Sequence, residues 1–470
     1  MRKVLLIFGI MVFVLFACAP MPSAQSPIYT PYKTEQVATH IAGTIFVRET
    51  NTALSKPTST SVPPSFTNTP PFSTPTFISA PLPRDLTVTY IVEDELWAWK
   101  QNTSQLLLQG ENIFAPQISD DGQWVLFRKR TRPSDWSIRP FEELWVVRTD
   151  GSELNRLLGP DDLVALTGDE AALFIYDVDW IPGSHKILFN TEKVIQGPPG
   201  SIPLFDLYSL ELSGEATQLV EAGSGGKFYI SPTGTHVALT TNSRIAVLDL
   251  ENNKQRTLFE FEPLLIPTEG TFTTRVSWDS QGLFLMTVIH PSKMYYSDYA
   301  GEPTQVWRLF VNGQTELITE FQPFIPHTGV IFSPDLQYFF YLYPGNSCVK
   351  SGMLTLYDIA SGEGYPLFCS HRLPQWVPDN EHFIYSLETW QLGSISDDSN
   401  QVLDMLNVPT NPQFRVPPHL TWIDDEYFLL VLPSIDVCTI NVATLEGIIS
   451  EIASTQLSAC TQDIAFSLPK

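Results

Sequence analysis

The stretch "QISDDGQWVLF" (Gln117–Phe127) decides how this chain is read. Alone, Asp120 and Asp121 beside Gly122 look like a metal or acid/base pair. The same pattern recurs, however: a short strand ending in an aromatic or β-branched residue, a polar turn, then a strong apolar strand. It returns as "DWIPGSHKILF" (179–189), "YISPTGTHVAL" (229–239), "SWDSQGLFLM" (277–286), "IFSPDLQYFFY" (331–341), "QWVPDNEHFIY" (375–385) and "TWIDDEYFLL" (421–430), with a partial copy, "DIAFSLPK" (463–470), at the end. The slot of Asp120-Asp121 is filled elsewhere by Pro-Thr, Pro-Asp or Pro-Gly. It therefore asks for turn geometry and for no charge.

Each unit continues the same way. A third strand follows, as in "SRIAVLDLE" (243–251) and "GMLTLYDIA" (352–360), and a tight turn such as "TDGSE" (149–153), "LSGE" (212–215), "NGQT" (312–315) or "ASGE" (360–363) leads to a fourth. Four strands per unit, with 44–62 residues between copies, is the pattern of a β-propeller blade. The expected fold class is all-β, a propeller of four-stranded blades, eight by the number of inner strands, with seven as the alternative. Residues 85–110 hold a hairpin and a fourth strand with no inner strand before them. The last residues hold an inner strand with nothing after it. Residues 462–468 are therefore expected to complete the blade begun at 86–109, which removes two sheet edges that would invite aggregation.

The turns Ser231-Pro232-Thr233-Gly234, Ser333-Pro334-Asp335-Leu336 and Ser119-Asp120-Asp121-Gly122 resemble the "SPDG" turn of TolB-like, WD40-like (PD40) repeat proteins. The resemblance covers about residues 85–470. It implies the propeller fold and leaves function open, because such blades serve binding, assembly and enzyme-accessory roles.

The two ends add organisation. Arg2 and Lys3 precede an apolar run, Val4 to Phe16, too short to span a bilayer and of signal-peptide length. Leu15-Phe16-Ala17-Cys18 resembles the lipobox of bacterial lipoproteins, which implies acylation of Cys18 as the mature N-terminus. Phe16 departs from the small residue usual there, and ordinary cleavage after Ala24 is the competing reading. The expected organisation is a signal peptide over 1–17, a Thr/Ser/Pro-rich linker or stalk over 18–83, and the propeller over 84–470. The stalk tract, "KPTSTSVPPSFTNTPPFSTPTF", cannot bury a core, and ~30 such residues extend roughly 90 Å. The expected location is outside the cytoplasm, held to the membrane by the lipid.

With 27 basic and 51 acidic residues, net charge −24, the chain repels phosphate backbones, so nucleic acid is not an expected partner. Setting Cys18 aside leaves four cysteines, an even number suited to an exported protein. Cys348 precedes the third strand of its blade and Cys369 ends the fourth. Antiparallel pairing brings these together, so Cys348–Cys369 and, one blade pair later, Cys438–Cys460 are the expected disulfides among three connectivities.

In a propeller the first-to-second and third-to-fourth turns share one face, and the second-to-third and blade-to-blade links share the other. The first set is tight here. The second is long: 129–142, 159–174, 193–203, 261–271, 290–303 and 407–418. Insertions confined to one face mark it as the expected binding face. It carries Arg130, Arg132, Trp136 and Arg139 in one loop, and Lys293, Tyr295, Tyr296 and Tyr299 in another. Trp, Tyr and Arg carry most interface energy. The alternative is that Trp136 and a Tyr pack their loops onto the disc while the arginines pair with acids such as Glu142.

Catalytic motifs are missing. There is no G-x-S-x-G elbow, and "GSGGK" (223–227) lacks phosphate-loop spacing and reads as a linker between blades. Asp161-Asp162 with Asp169-Glu170 are candidate Ca²⁺ ligands, with a solvated loop as the alternative. His327, His371 and His419 sit near inner strands of neighbouring blades, which resembles the metal sites of propeller-shaped pectic lyases, although their offsets do not match. No cofactor is expected. The expected function is a binding or assembly module for a protein, peptide or glycan, without catalysis. The alternative is a carbohydrate-active lyase or hydrolase using the central channel.

Overall fold

The computed structural model describes residues 82–469, except 111, 131–141, 169–172, 196–199, 265–272, 292–302, 322–328, 344–347, 349–351, 387–388, 397–399, 404–405, 407–417, 435 and 457–462. Eight antiparallel sheets follow one another. Blades 1 to 7 run from Ile113 to Leu158, Leu173 to Val220, Lys227 to Glu260, Val276 to Phe321, Val330 to Ser370, Gln375 to Val402 and His419 to Gln456. Blade 8 takes its innermost strand, Ile464–Ser467, from the end of the chain and the other three from Thr87–Gln109.

The ring is visible in the packing. Eight apolar clusters each join two neighbouring blades. Phe189 and Tyr208 of blade 2 meet Leu126, Leu144 and Val146 of blade 1. Phe428 and Leu430 of blade 7 meet Ile384 of blade 6. The last two clusters carry the circle through blade 8: Val88 and Trp99 pack on Leu429 and Val442 of blade 7, and Ile91 and Leu96 pack on Val125 and Phe127 of blade 1. Second strands are apolar on both faces because each face abuts a neighbour. Phe339 and Phe340, adjacent in sequence, fall into different clusters for that reason.

The expected closing strand is present. Thr87 pairs with Ser467, Val88 with Phe466, Thr89 with Ala465 and Tyr90 with Ile464. Ser467 is buried, and its hydroxyl donates to the Asp120 carbonyl of blade 1.

The opening turn has a structural explanation. The Ser119 hydroxyl donates to Asp121 Oδ1 (2.6 Å), the Gln123 and Trp124 N–H groups donate to Asp121 Oδ1 and Ser119 Oγ, and Gly122 closes the turn at φ +68°. Ser333 and Asp335 repeat this, with Leu336 in the glycine slot at φ +60°. Asp120 Oδ2 accepts the Gly183 N–H of blade 2, and Asp121 Oδ2 lies 2.8 Å from His185 Nε2. Burial pushes the Asp121 carboxyl up, but bonds from Ser119, His185 and Gln123 together hold it below the usual range. In five blades the turn after the third strand bonds back to the first turn, as Thr149 N–H to Gln123 O and Leu250 N–H to Thr235 O do. Both short-turn sets thus share one face.

Cys348 and Cys369 form a disulfide spanning 21 residues, on the order of 3 kcal/mol of chain-entropy stabilisation. Cys438 is also disulfide-bonded. Cys460, its expected partner, lies outside the described residues. Among the described residues no helix is long and apolar enough to cross a membrane. The expected Cys18, signal peptide and stalk likewise lie outside them.

Candidate functional site

Two segments of the long-loop face are more ordered than their sequence suggested. Residues 193–203 read as irregular loop, but Ser201–Pro203 pairs with Glu192–Val194 and lengthens the blade 2 hairpin. Residues 160–167 form a helix starting with Pro160. Asp162 Oδ2 accepts the Gly159 N–H (2.8 Å) and sits 3.3 Å from Arg156. Asp162 thus caps the helix start; Asp169 and Glu170, the other half of the candidate Ca²⁺ set, are outside the described residues.

Of the two expected ligand-binding clusters only Arg130 is described; Arg132, Trp136, Arg139, Lys293, Tyr295, Tyr296 and Tyr299 are outside. Arg130 lies 4.3 Å over the Phe114 ring and 3.9 Å from Glu142, so it packs and pairs within blade 1. Of the three histidines, His327 is outside, His371 is exposed, and His419 is half-buried with its pKa lowered by burial. Among the described residues, no three His, Cys, Asp or Glu side chains are placed to hold a metal.

The face instead carries a polar network between blades 1 and 2. A bulge in the innermost strand of blade 2, between Ile175 and Val178, turns Tyr176 and Asp177 out of register. Arg128 reaches across from blade 1 and donates to the Ile175 and Tyr176 carbonyls, both at 3.2 Å, while lying 3.5 Å from Glu142. Burial lowers the Arg128 pKa, and the carboxylates of Glu142, Asp177 and Glu192 oppose that. The Asp177 N–H donates to buried Asn190 (2.8 Å), and Thr191 donates from N–H and hydroxyl to Asp206 (2.7 and 2.5 Å). Burial raises the Asp206 pKa against these bonds. Tyr229 of blade 3 is also raised by burial, with Arg275 lowering it and Asp177 raising it, so inner-strand groups of blades 2, 3 and 4 share one field.

The signal for this network was in "ILFNTEKV" (187–194). The second strands of blades 4, 5 and 7 stay apolar at this slot (Val288, Leu342 and Val431), where this one reads Asn190-Thr191-Glu192, all three buried. Nothing in the pattern marked Arg128, whose carbonyl partners come from another blade.

Asp179 lies on the same innermost strand, open to solvent yet deep among protein atoms. Burial, with the charges of Asp120 and Asp177 adding, pushes its pKa up to about 6, against the Trp180 N–H that donates to it. A folded-state pKa above the unfolded value means the folded protein holds the proton more tightly, so this group lowers stability as pH rises from about 4 through 6. Asp179→Asn is expected to raise the Tm at pH 7.5 more than at pH 4. Equal changes at both values would show that Asp179 has its ordinary pKa.

Between blades 2 and 3 the face holds a cleft of about 740 Å³, within the range of small-molecule sites. Phe205 and Gly223 line it from blade 2, and residues 241–244 and 260–262 from blade 3.

No family model and no curated protein matches the chain. Solved structures do. Dipeptidyl peptidase 4 of Porphyromonas gingivalis is similar at 8% identity, over 81% of this chain and 59% of that one, TM-score 0.49. The β-propeller domain of the Trilobed protease from Pyrococcus furiosus, described as having an open velcro topology, is similar at 8% identity over 80% and 98%, TM-score 0.43. The dihydro-heme d1 dehydrogenase NirN is similar at 10% identity over 82% and 75%, TM-score 0.48. At these identities the likeness shows the fold alone. The expectation of no catalysis does not stand, because one fold hosts many functions, enzymatic ones included; the similar structures include a peptidase and a dehydrogenase.

Proposed function

We propose that this β-propeller is an exported binding or assembly module, of the TolB-like repeat kind, that takes a protein, peptide or glycan on its long-loop face. In this reading the Cys18 lipid holds it to the membrane and residues 18–83 act as the stalk. The observation that carries the proposal is the asymmetry of the disc. The short turns are bonded to one another, whereas the bulge, the helix, the extended hairpin and the cleft all lie on the other face. Binding sites concentrate where loops vary over a rigid frame.

The test is a glycan array and a cell-surface pull-down with the purified chain, run beside a Trp136→Ala/Tyr296→Ala variant. A specific ligand, lost or weakened in the variant, is the expected result. A ligand displaced only by changes on the short-turn face would place the site on the wrong side. Metabolic lipid labelling is expected in the native chain and absent from Cys18→Ala.

A further inference from the structure

Phe205 is the one described phenylalanine with positive φ, +53°, a region that bulky side chains avoid. Its surroundings hold it there. The next residue, Asp206, is 1% exposed and clamped by the Thr191 N–H and hydroxyl. The Phe205 carbonyl accepts the Gly225 N–H at 2.7 Å, and a Cβ on Gly225 would lie 2.5 Å from that oxygen. The "GSGG" link between blades is therefore a backbone cradle that holds Phe205 in the connection between Ser201–Pro203 and Leu207–Leu210. The same link fixes the opposite wall: the Ser224 and Gly225 carbonyls accept Arg244 Nη2 at 2.6 and 3.0 Å. Strain that persists because its surroundings over-determine it points to use, and here both clamps end at the cleft that Phe205 and Arg244 line.

We infer that this cleft between blades 2 and 3 binds a short saccharide that carries no negative charge. The inference deepens the proposed binding role and rests on it. Phe205 and Phe261 line the cleft, the latter stacked on Phe259 with ring centroids 6.3 Å apart, and the negative quadrupole of an aromatic face favours the weakly positive C–H face of a pyranose. Asn242, Glu260 and Glu262 supply planar polar groups that match vicinal hydroxyls. The lining holds two carboxylates against one guanidinium, already engaged with carbonyls, inside a chain of net charge −24. That balance disfavours phosphates, uronates and nucleotides.

The experiment is saturation-transfer NMR on the full exported chain with cellotetraose, maltotetraose, chitotetraose, tetragalacturonate and a neutral Phe-containing tetrapeptide. At least one of the uncharged tetrasaccharides is expected to bind, and tetragalacturonate is not. Phe205→Gly, which removes the ring and suits the positive φ, is expected to weaken binding at least tenfold. Phe205→Tyr is expected to retain it, and Glu262→Gln to weaken it severalfold even if the glycine variant folds poorly. Binding that survives in Phe205→Gly but is lost in Trp136→Ala/Tyr296→Ala overturns the cleft and leaves the face as the binding surface. Binding of the peptide alone, of the uronate, or of nothing in the panel overturns the saccharide.

Discussion

A chain that stops at Gln462 is expected to lose the cooperative fold of the whole disc. The missing strand supplies four paired residues to the edge of Thr87–Val92, and Ile464, Phe466 and Leu468 to the packing between blades 7 and 8. Asp463 also contributes: its carbonyl accepts the Ile91 N–H and its carboxylate accepts the Ala115 N–H of blade 1. Backbone bonds at about 1 kcal/mol each and partial burial of three apolar side chains come to on the order of 5 kcal/mol. An ordinary domain has a total stability of only ~5–15 kcal/mol. The loss also frees an edge beside Val88 and Leu86, both fully buried in the intact ring. The expected result is aggregation, or a Tm lowered by more than ten degrees and a broadened transition. Supplying residues 463–470 as a peptide is expected to recover part of the loss. An unchanged Tm in the truncated chain would mean that the ring does not depend on its closing strand.

Arg128→Met is expected to be the most damaging single substitution of a charged residue. The methionine fills similar volume, so the effect isolates the polar head. Two carbonyls, Ile175 and Tyr176, lose their donor, and among the described residues Glu142, 7% exposed, keeps the more distant Arg130 as its ion-pair partner. Asp177 and Glu192 lose the positive charge that offsets them. Breaking a buried pair by removing one partner costs about 3–5 kcal/mol. Urea unfolding with an unchanged m-value should read that loss. Arg128→Lys is expected to fall between, since an ammonium keeps the charge without the fork that reaches two carbonyls at once. If Arg128→Met unfolds within about 0.5 kcal/mol of the native chain, the surface-substitution scale, the network is ornamental.

The two predictions rest on features of different legibility. The closing strand was readable because it repeats: "DIAFSLPK" has the same strand and turn start as seven other stretches, and the N-terminal blade lacked a partner of that kind. Cys348–Cys369 was readable because Cys348 precedes, and Cys369 ends, two strands joined by a short turn. Residues that act between blades were not. Arg128 and Asp177 are 49 positions apart, and the bulge that brings them together is a local departure from the repeat that gave the fold away. Phe205 was silent for a similar reason. Its backbone conformation depends on Gly225 and on Asp206, and "GSGGK" looked like a spacer because its task is to let another backbone come close. A repeat reveals what each blade shares, and the functional candidates lie where blade 2 breaks that sameness.

Closure by the last strand also sets a schedule. The strand Thr87–Val92 is made early, and its inner neighbour begins at Ile464, roughly 370 residues later. At about 5–20 residues per second that is on the order of 20–75 s during which the edge has no partner on the chain. The blade begun first must wait for Ile464–Ser467, so the ring cannot close before those residues are made. Whatever shields that edge in the interval acts on an incomplete disc.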